Sequence, residues 1–228
     1  MKVDIISLSW SLRDKYNIVA PILNWATSRG VVVLAATHNE GANEGISFPA
    51  SMSNVLCIGA ANGKGGIPHS TPLRGKAEKF SALGVAVEGS WINQKEMASS
   101  AKYILMTRQD GDSTLEYVYQ AKVPDISIQH ESKERRTGSS TATAIAAGIA
   151  ALCLDYIRQF KSPEPSKRAE YIRTLFLKMS GATRTQPYQY LTPWLLLDGQ
   201  ITTNPIDRWR KVEAILQRTP GMVLVSRR

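Results

Sequence analysis

The stretch GSSTATAIAAG, residues 138–148, joins a hydroxyl-rich turn to a run of very small residues without a break. It predicts the beginning of a buried helix, because small side chains let a helix pack closely under a sheet. The first turn of a helix presents unpaired backbone N–H groups and a partial positive charge, which favours a nucleophilic serine there. Taken alone, the stretch also fits an ordinary capped helix, since serine and threonine are common N-caps.

A second stretch, GVVVLAATHNEG at residues 30–41, lies well upstream. Residues 31–34 form a continuous apolar run, which is typical of a strand buried on both faces of a parallel sheet. The polar turn that follows is where open α/β sheets place their sites. Asn39 in this turn can offer its side-chain amide to an oxygen that becomes negatively charged during a reaction.

Together the two stretches resemble the nucleophile motif G-T-S-M-A-x-P and the oxyanion strand A-A-G-N-E-G of the subtilases, the subtilisin-like serine peptidases. Residues 3–11, 48–60 and 80–89 also resemble family segments in the same chain order. The resemblance covers residues 3–160 and implies an α/β fold, a three-layer subtilisin-like domain with a parallel sheet and closing C-terminal helices. Its N-terminal strands would precede Val3. We predict a partial peptidase domain at residues 1–160 and a C-terminal helical extension packed on it at residues 161–228.

The resemblance implies a serine-type endopeptidase that acts on a peptide or protein substrate without a cofactor or a metal ion. By motif position, Ser140 would attack the peptide carbonyl and form an acyl-enzyme. Asn39 would stabilise the oxyanion together with the backbone N–H of Ser140. The pocket for the substrate side chain would be flanked by two segments, Ser9-Trp10-Ser11 and Ala35-Ala36-Thr37.

The catalytic base of the family is not recognisable in this sequence. Subtilases order their triad as Asp, His and Ser, and the first two motifs would lie upstream of Val3. None of the histidines, His38, His69 and His130, stands in an H-G-T-x-V-A-G context, and no aspartate stands in a D-[ST]-G context. Because a serine without a base is a poor nucleophile near neutral pH, this polypeptide alone is expected to be inactive. The missing N-terminal part of the same protein would be its partner.

Substitutions within the motifs keep other functions open. The family's Thr, Met and Pro are replaced by Ser139, Thr141 and Ala144, and its usual glycine before the oxyanion asparagine is His38. Such divergence also fits a non-catalytic subtilase-like module that binds peptides or proteins within a larger assembly. A nucleotide-binding α/β domain is a third hypothesis, which rests on the glycine-rich residues 59–66. These residues match neither the P-loop nor the dinucleotide-binding pattern.

The net charge of +9 is concentrated near the C-terminus, where residues 151–228 hold thirteen Lys and Arg against six Asp and Glu. The basic residues are dispersed over helical patterns, which favours a solvated face over a nucleic-acid site. No run reaches the roughly eighteen apolar residues typical of a membrane span, and the N-terminus lacks the cleavage site of a secretory signal. These features predict no nucleic-acid or membrane partner and favour an intracellular location.

Two smaller motifs each have two interpretations. Cys57 and Cys153 lie in apolar strand and helix patterns, which favours buried free thiols over a disulfide or redox pair. Asp110-Gly111-Asp112 favours a hairpin turn over a calcium site, because the spacing of its carboxylates does not fit an EF-hand loop.

Hydrophobic periodicity predicts the remaining elements. Strands are expected at residues 3–8, 31–36, 55–60, 101–107 and 114–119, and helices at residues 16–29, 167–179 and 206–217. The first of these helices is expected to bury a wide face formed by Ile18, Val19, Ile22, Leu23, Trp25 and Ala26.

Overall fold

The structure, a computed structural model, describes residues 3–12, 18–92, 106–110, 113–117, 131–162, 164–180, 187–197, 204–217 and 225–226. The chain divides into two compact units. The first comprises residues 1–87 and 136–228, and the second comprises residues 88–135.

Eleven strands and five α-helices occur in the described residues. Numbered in chain order, the strands are β1 (Ile5–Leu8), β2 (Val32–Ala36), β3 (Leu56–Ala61), β4 (Phe80–Leu83), β5 (Val87–Ile92), β6 (Met106–Asp110), β7 (Ser113–Tyr117), β8 (Glu131–Arg136), β9 (Lys161–Ser162), β10 (Gln189–Tyr190) and β11 (Val225–Ser226). The helices are α1 (Val19–Ser28), α2 (Ser139–Phe160), α3 (Arg168–Met179), α4 (Trp194–Leu197) and α5 (Pro205–Gln217). A short 3-10 helix, Pro165–Lys167, precedes α3.

The main sheet of the first unit has five parallel strands in the order β1-β2-β3-β4-β10. β2 and β3 are buried along their whole length, as expected of strands covered on both faces. Along β2, Val32 and Leu34 pack into the larger core cluster, whereas Val33 and Ala35 pack into the smaller one, because successive side chains point to opposite faces. Helices α2, α3 and α5 contribute to the larger cluster and α1 to the smaller. The sheet is therefore the middle of three layers, which confirms the predicted α/β fold.

Helix α2 is the central helix of the larger core. Ala142, Ala146 and Ala150 recur every four residues and are fully buried, which is the small-residue face that the sequence predicts. Residues Ser139–Gln159 are also long and apolar enough to cross a membrane by composition. In this structure the helix packs against β1, β2, β3 and β4, so burial in the core accounts for its apolar character.

Helix α1 buries a narrower face than its sequence predicts. Leu23 and Ala26 are buried, but Ile18, Ile22 and Trp25 are 77%, 57% and 59% exposed. The expectation for these three residues is therefore wrong. Only a thin stripe of the helix reaches the sheet, so residues on the flanks of the apolar pattern face outward. The guanidinium of Arg29 lies 4.4 Å from the centroid of the Trp25 ring, which is a cation–π contact.

The start of β1 is fixed by a charged cluster. The Asp4 carboxylate contacts Arg158 at the end of α2 and Arg168 at the start of α3, each at 2.6 Å. The hydrogen bond from Arg158 is the main cause that holds the pKa of Asp4 below its usual value. This cluster ties the first strand of the sheet to both helices of the larger core.

Residues beyond 160 add to the same core. The residues of α3 that are buried are Tyr171, Ile172, Thr174, Leu175, Phe176 and Met179. Strand β10 pairs in parallel with β4, with Gln189 opposite Phe80, and α5 buries Trp209, Val212 and Leu216. The domain boundary expected at residue 160 stays a prediction.

The second unit contains two sheets of two strands each. β5 pairs with β8, and β6 pairs with β7 in an antiparallel hairpin from Met106 opposite Tyr117 to Asp110 opposite Ser113. β7 confirms the strand predicted at residues 114–119 over residues 114–117, whereas the strand predicted at 101–107 coincides with β6 only at residues 106–107. Residues 101–105 lie outside the described residues. Gly111 and Asp112, which complete the considered calcium motif, lie outside the described residues.

Both cysteines are free and buried, which confirms the preferred interpretation of their sequence context. Burial raises the pKa of the Cys57 thiol to about 12, and it does the same to the Cys153 thiol. Cys57 lies in β3 and Cys153 in α2, so each is a packing residue of its layer.

Candidate active site

Three chain segments meet where β1 and β2 end. Residues 9–11 follow β1, residues 37–40 follow β2, and α2 begins at Ser139. The carboxyl ends of parallel strands lie at one edge of the sheet, which is the usual place for a site in this class of fold. Hydrogen bonds between side chains and main chain join the three segments.

A reciprocal pair of hydrogen bonds joins Ser140 to the end of β1. The Ser140 hydroxyl donates to the main-chain oxygen of Ser9 at 3.0 Å, and the Ser9 hydroxyl donates to the main-chain oxygen of Ser140 at 2.9 Å. Ser140 is exposed and lies in the first turn of α2, where backbone N–H groups have no partner within the helix. Ser140 therefore lies at the surface, where the helix start places its hydroxyl in a positive local field.

A second link joins Asn39 to the turn before Ser140. The backbone N–H of Ser139 donates to Asn39 Oδ1 at 2.8 Å. Since the oxygen of the side-chain amide faces this donor, the Nδ2 group lies at the other end of the amide. Ser139 itself is fully buried, and its main-chain oxygen accepts a hydrogen bond from the Thr143 hydroxyl at 2.7 Å. The sequence did not single out Ser139 as a functional residue, although it stands next to Ser140 in the motif.

Two glycines allow these segments to approach each other. A Cβ at Gly138 would lie 3.1 Å from Asn39 Nδ2, so a side chain there would press on the amide. A Cβ at Gly84 would lie 2.9 Å from the main-chain oxygen of Gly138 and 3.0 Å from the Cβ of Ala142. The N–H of Gly138 donates to the oxygen of Gly84 at 2.8 Å. The helix start thus rests directly on the backbone after β4.

His38 shapes the turn that carries Asn39. Its φ is 112°, in the region that glycine adopts freely and other residues rarely adopt, at a cost of about 1–3 kcal/mol. Its ring Nε2 donates to the oxygen of Gly45 at 2.8 Å, and its Nδ1 accepts from the N–H of Glu40 at 3.0 Å. The ring is directed into this turn, and the residue is only 6% exposed.

A cavity of about 280 Å³ lies over these segments. Its lining residues are Ser9, Trp10, Ser11, Ala36, His38, Asn39, Glu40, Ser139 and Ser140. The side chain of Trp10 is 40% exposed, so an apolar ring borders the opening. The cavity can hold a small side chain next to the Ser140 hydroxyl.

Two of the residues predicted to flank the pocket do not line this cavity. Ala35 is fully buried in the smaller core cluster, where Leu23 and Phe48 are also found. Thr37 is also fully buried, and its hydroxyl donates to the oxygen of His38 at 3.2 Å. The other predicted site residues all line the cavity, whereas these two are buried outside it.

No base contacts the Ser140 hydroxyl within the described ranges. Both ring nitrogens of His38 bond to main-chain groups of its own turn, His69 is exposed in a loop, and His130 lies outside the described residues. Nor do the described residues contain a group of three or more His, Cys, Asp or Glu side chains that could hold a metal ion.

Comparison with known proteins identifies the relatives of this chain. The model of the subtilase family matches residues 1–190. The minor extracellular protease Epr of Bacillus subtilis is 29% identical over 93 residues, which is 41% of this chain and 14% of Epr.

Solved structures show the same fold. A point mutant of the protease domain of PatA is 19% identical with a TM-score of 0.57, and the match covers 92% of this chain and 60% of the PatA chain. The prenylagaramide maturation protease PagA is 20% identical with a TM-score of 0.56, and the match covers 83% of this chain and 59% of PagA. The chain thus spans about three fifths of the length of these structures and a much smaller share of Epr.

Proposed function

Because this chain belongs to the subtilase family, we propose that it carries the nucleophile and the oxyanion site of a serine-type endopeptidase that acts on peptides or proteins. The observation that carries the proposal is the link between Asn39 and the start of α2. The 2.8 Å hydrogen bond from Ser139 N–H fixes the Asn39 amide beside the exposed Ser140, over a cavity that both residues line.

In the proposed reaction, the Ser140 hydroxyl first gives up its hydrogen bond to Ser9. Its oxygen then attacks the peptide carbonyl while a base takes its proton. The negative charge on the tetrahedral oxygen is stabilised by Asn39 Nδ2–H and by the backbone N–H of Ser140, where the helix start adds positive potential. Collapse of the intermediate breaks the peptide C–N bond as the base returns its proton to the leaving amine, and an acyl-enzyme remains on Ser140. Water, deprotonated by the same base, then attacks the acyl-enzyme, and the proton returns to the Ser140 oxygen as the acid product leaves.

We propose that the base comes from polypeptide on the open side of β1. β1 pairs with β2 along one edge, and no strand among the described residues pairs with its other edge. At the start of β1, a cavity of about 570 Å³ lies between this strand and α1, and its lining includes Val3, Ile6, Trp25 and the charged residues Asp4, Arg29 and Arg168. Val3, Ile22 and Trp25 are each more than 40% exposed.

The handedness of parallel sheets supports this location. A strand added in parallel at the open edge of β1 would reach β1 through a right-handed crossover. Since the chain then continues in the same direction from β1 to β2, the connecting helix would lie on the same face as α1. It would fill the cavity and cover the exposed residues of α1. An N-terminal part of the same protein fits this position, and would bring the base to Ser140.

A second function, binding of peptides without cleavage, is favoured by the state of the Ser140 hydroxyl. The hydroxyl is held by a main-chain oxygen, and no described side chain stands ready to take its proton. The same cavity and the same amide would then bind a peptide carbonyl without activating a nucleophile.

Labelling with a fluorophosphonate distinguishes the two functions, because the reagent reacts with activated serines. The protein purified from its source, with its intact mass determined, is labelled in parallel with S140A and with S53A, a change at an exposed turn serine. A peptidase is labelled, loses the label in S140A and keeps it in S53A. The absence of label on the native protein would reject the peptidase and leave the binding module.

A further inference from the structure

His38 stands where the subtilase motif has glycine, and its backbone keeps a conformation that glycine adopts without strain. Its φ of 112° is unfavourable for a residue with a side chain, so the surroundings must hold it. A histidine that merely tolerated this position would turn its ring into solvent. Instead the residue is 6% exposed.

The imidazole is bonded at both nitrogens, and the two partners define its protonation. The oxygen of Gly45 only accepts hydrogen bonds, so Nε2, at 2.8 Å, carries the proton. The N–H of Glu40 only donates, so Nδ1, at 3.0 Å, is unprotonated. The ring is therefore the neutral Nε2–H tautomer, and it joins residue 40 on one side to residue 45 on the other.

The main chain of His38 is bonded to the nucleophile turn. Its N–H donates to Ser139 Oγ at 3.4 Å, and its oxygen accepts from the same hydroxyl at 3.2 Å. The next residue, Asn39, accepts from the N–H of Ser139. Any rotation of the backbone at residue 38 would therefore disturb both the Ser139 hydroxyl and the Asn39 amide.

We propose that His38 is a positioning residue, whose neutral imidazole locks the turn at residues 38–45 and thereby aims the Asn39 amide towards the cavity beside Ser140. The side chain takes over, by two hydrogen bonds, the role that backbone freedom plays where glycine occupies this position. The proposal rests on the proposed role of Asn39, but the tautomer and the rigidity of the turn are independent of catalysis.

The first test is the nitrogen NMR spectrum of the full chain with ring-labelled histidine at pH 8. The chain has three histidines, and the variants H38A and H69A identify the signals. We expect His38 to show one protonated and one acceptor nitrogen, with the proton on Nε2. A mixture of tautomers in rapid exchange, or a proton on Nδ1, would overturn the proposal. The result is read from the wild-type protein, and the variants serve only to assign its signals.

The second test is amide hydrogen exchange in H38G and H69A, with the fold checked by circular dichroism. H38G keeps the backbone conformation accessible but removes the ring. We expect exchange of the Glu40 and Ser139 N–H groups to accelerate by about tenfold, as for loss of one or two hydrogen bonds, and H69A to change neither. Unchanged exchange in H38G would show that the ring does not hold the turn.

In the native protein, H38G should also slow fluorophosphonate labelling of Ser140 by about tenfold, as for a misplaced oxyanion donor. Slower labelling together with faster exchange supports the positioning role. Faster exchange with unchanged labelling would show that the ring holds the turn without positioning Asn39. If the native protein is not labelled at all, the proposed peptidase function fails, while the tautomer and the exchange data still decide whether His38 holds the turn.

Discussion

Ser9 and Ser140 hold each other by two hydrogen bonds, from each hydroxyl to the main-chain oxygen of the other residue, at 2.9 and 3.0 Å. The pair connects the end of β1 with the start of α2 across 131 residues of sequence. It sets the distance between the pocket segment at residues 9–11 and the candidate nucleophile. It also occupies the hydroxyl proton that catalysis would have to remove.

The Ser9 hydroxyl can be removed without touching the bond that Ser140 donates, since that bond ends on the Ser9 main chain. We expect S9A to lower the free energy of unfolding by about 0.5–1.5 kcal/mol, the usual contribution of one hydrogen bond. Urea unfolding of S9A and of the control S53A measures the difference. Equal midpoints for the two variants would mean that the reciprocal pair adds nothing to stability.

Gly84 and Gly148 should respond to alanine in opposite directions. A Cβ at Gly84 would lie 2.9 Å from both the Gly138 oxygen and the Ala60 Cβ, and overpacking of this kind costs about 1–3 kcal/mol. Gly148 lies exposed within α2, and nothing within 4 Å would meet its Cβ. G148A should therefore stabilise the protein by about 0.5–1 kcal/mol through its higher helix propensity.

Thermal and urea unfolding of the two alanine variants check the prediction. A G84A variant with the same free energy of unfolding as the wild type would show that the helix start does not rest on the backbone after β4. In that case the close approach of Gly138 to Gly84 would not be what places Ser140.

The Cys153 thiol should make stability fall at high pH. Its pKa is raised from 9.0 to about 12 by burial, so the folded state holds the proton more tightly than the unfolded chain. The contribution is complete below pH 9 and is lost as the pH rises from 9 towards 12. Within that window the free energy of unfolding should drop by about 1.4 kcal/mol per pH unit because of this thiol.

The comparison of wild type with C153A isolates that contribution, because the other groups titrate in both proteins. Urea unfolding at pH 8, 9.5 and 10.5 should give a shallower fall for C153A. Parallel curves for the two proteins would contradict the deep burial of Cys153.

The exposed side of α1 should matter only when the proposed N-terminal part is present. In the chain alone, I22K should change the free energy of unfolding by no more than about 0.5 kcal/mol, since Ile22 is 57% exposed. In a longer protein that carries the proposed N-terminal part, the same change would bury a charge against the connecting helix and cost about 2 kcal/mol or more. L152K is the control, because Leu152 is 61% exposed on α2. Equal small effects of I22K in both proteins would reject the proposed packing of an N-terminal part against α1.

Much of the site follows from the sequence because its segments are local motifs. The apolar run of β2, the small-residue face of α2 and the polar turns predict which ends of which elements face the site. The pocket prediction treats Ala35, Ala36 and Thr37 alike, but adjacent residues of a strand point to opposite faces. Of these three residues, only Ala36 lines the cavity. The two-residue alternation of side chains along a strand would have separated Ala36 from its neighbours.

Other features depend on contacts that no local pattern contains. The hydrogen bond of Ser139 to Asn39 spans 100 residues, so the part played by the Ser139 backbone N–H emerges only from the fold. The helical pattern of α1 likewise does not reveal how wide a stripe reaches the sheet. Ile18, Ile22 and Trp25 continue the apolar pattern, although each is more than half exposed in the structure.

The most direct test of the account is the kinetics of N39A in the native protein, with S53A, a change at an exposed turn residue, as the control. If the Asn39 amide stabilises the oxyanion, N39A lowers kcat by about 10²–10³ with little change in KM, a magnitude taken from subtilisin, itself a member of this family. S53A should keep the activity of the wild type. A kcat for N39A within a few-fold of the wild type, in a protein that S140A inactivates, would contradict the proposed oxyanion site.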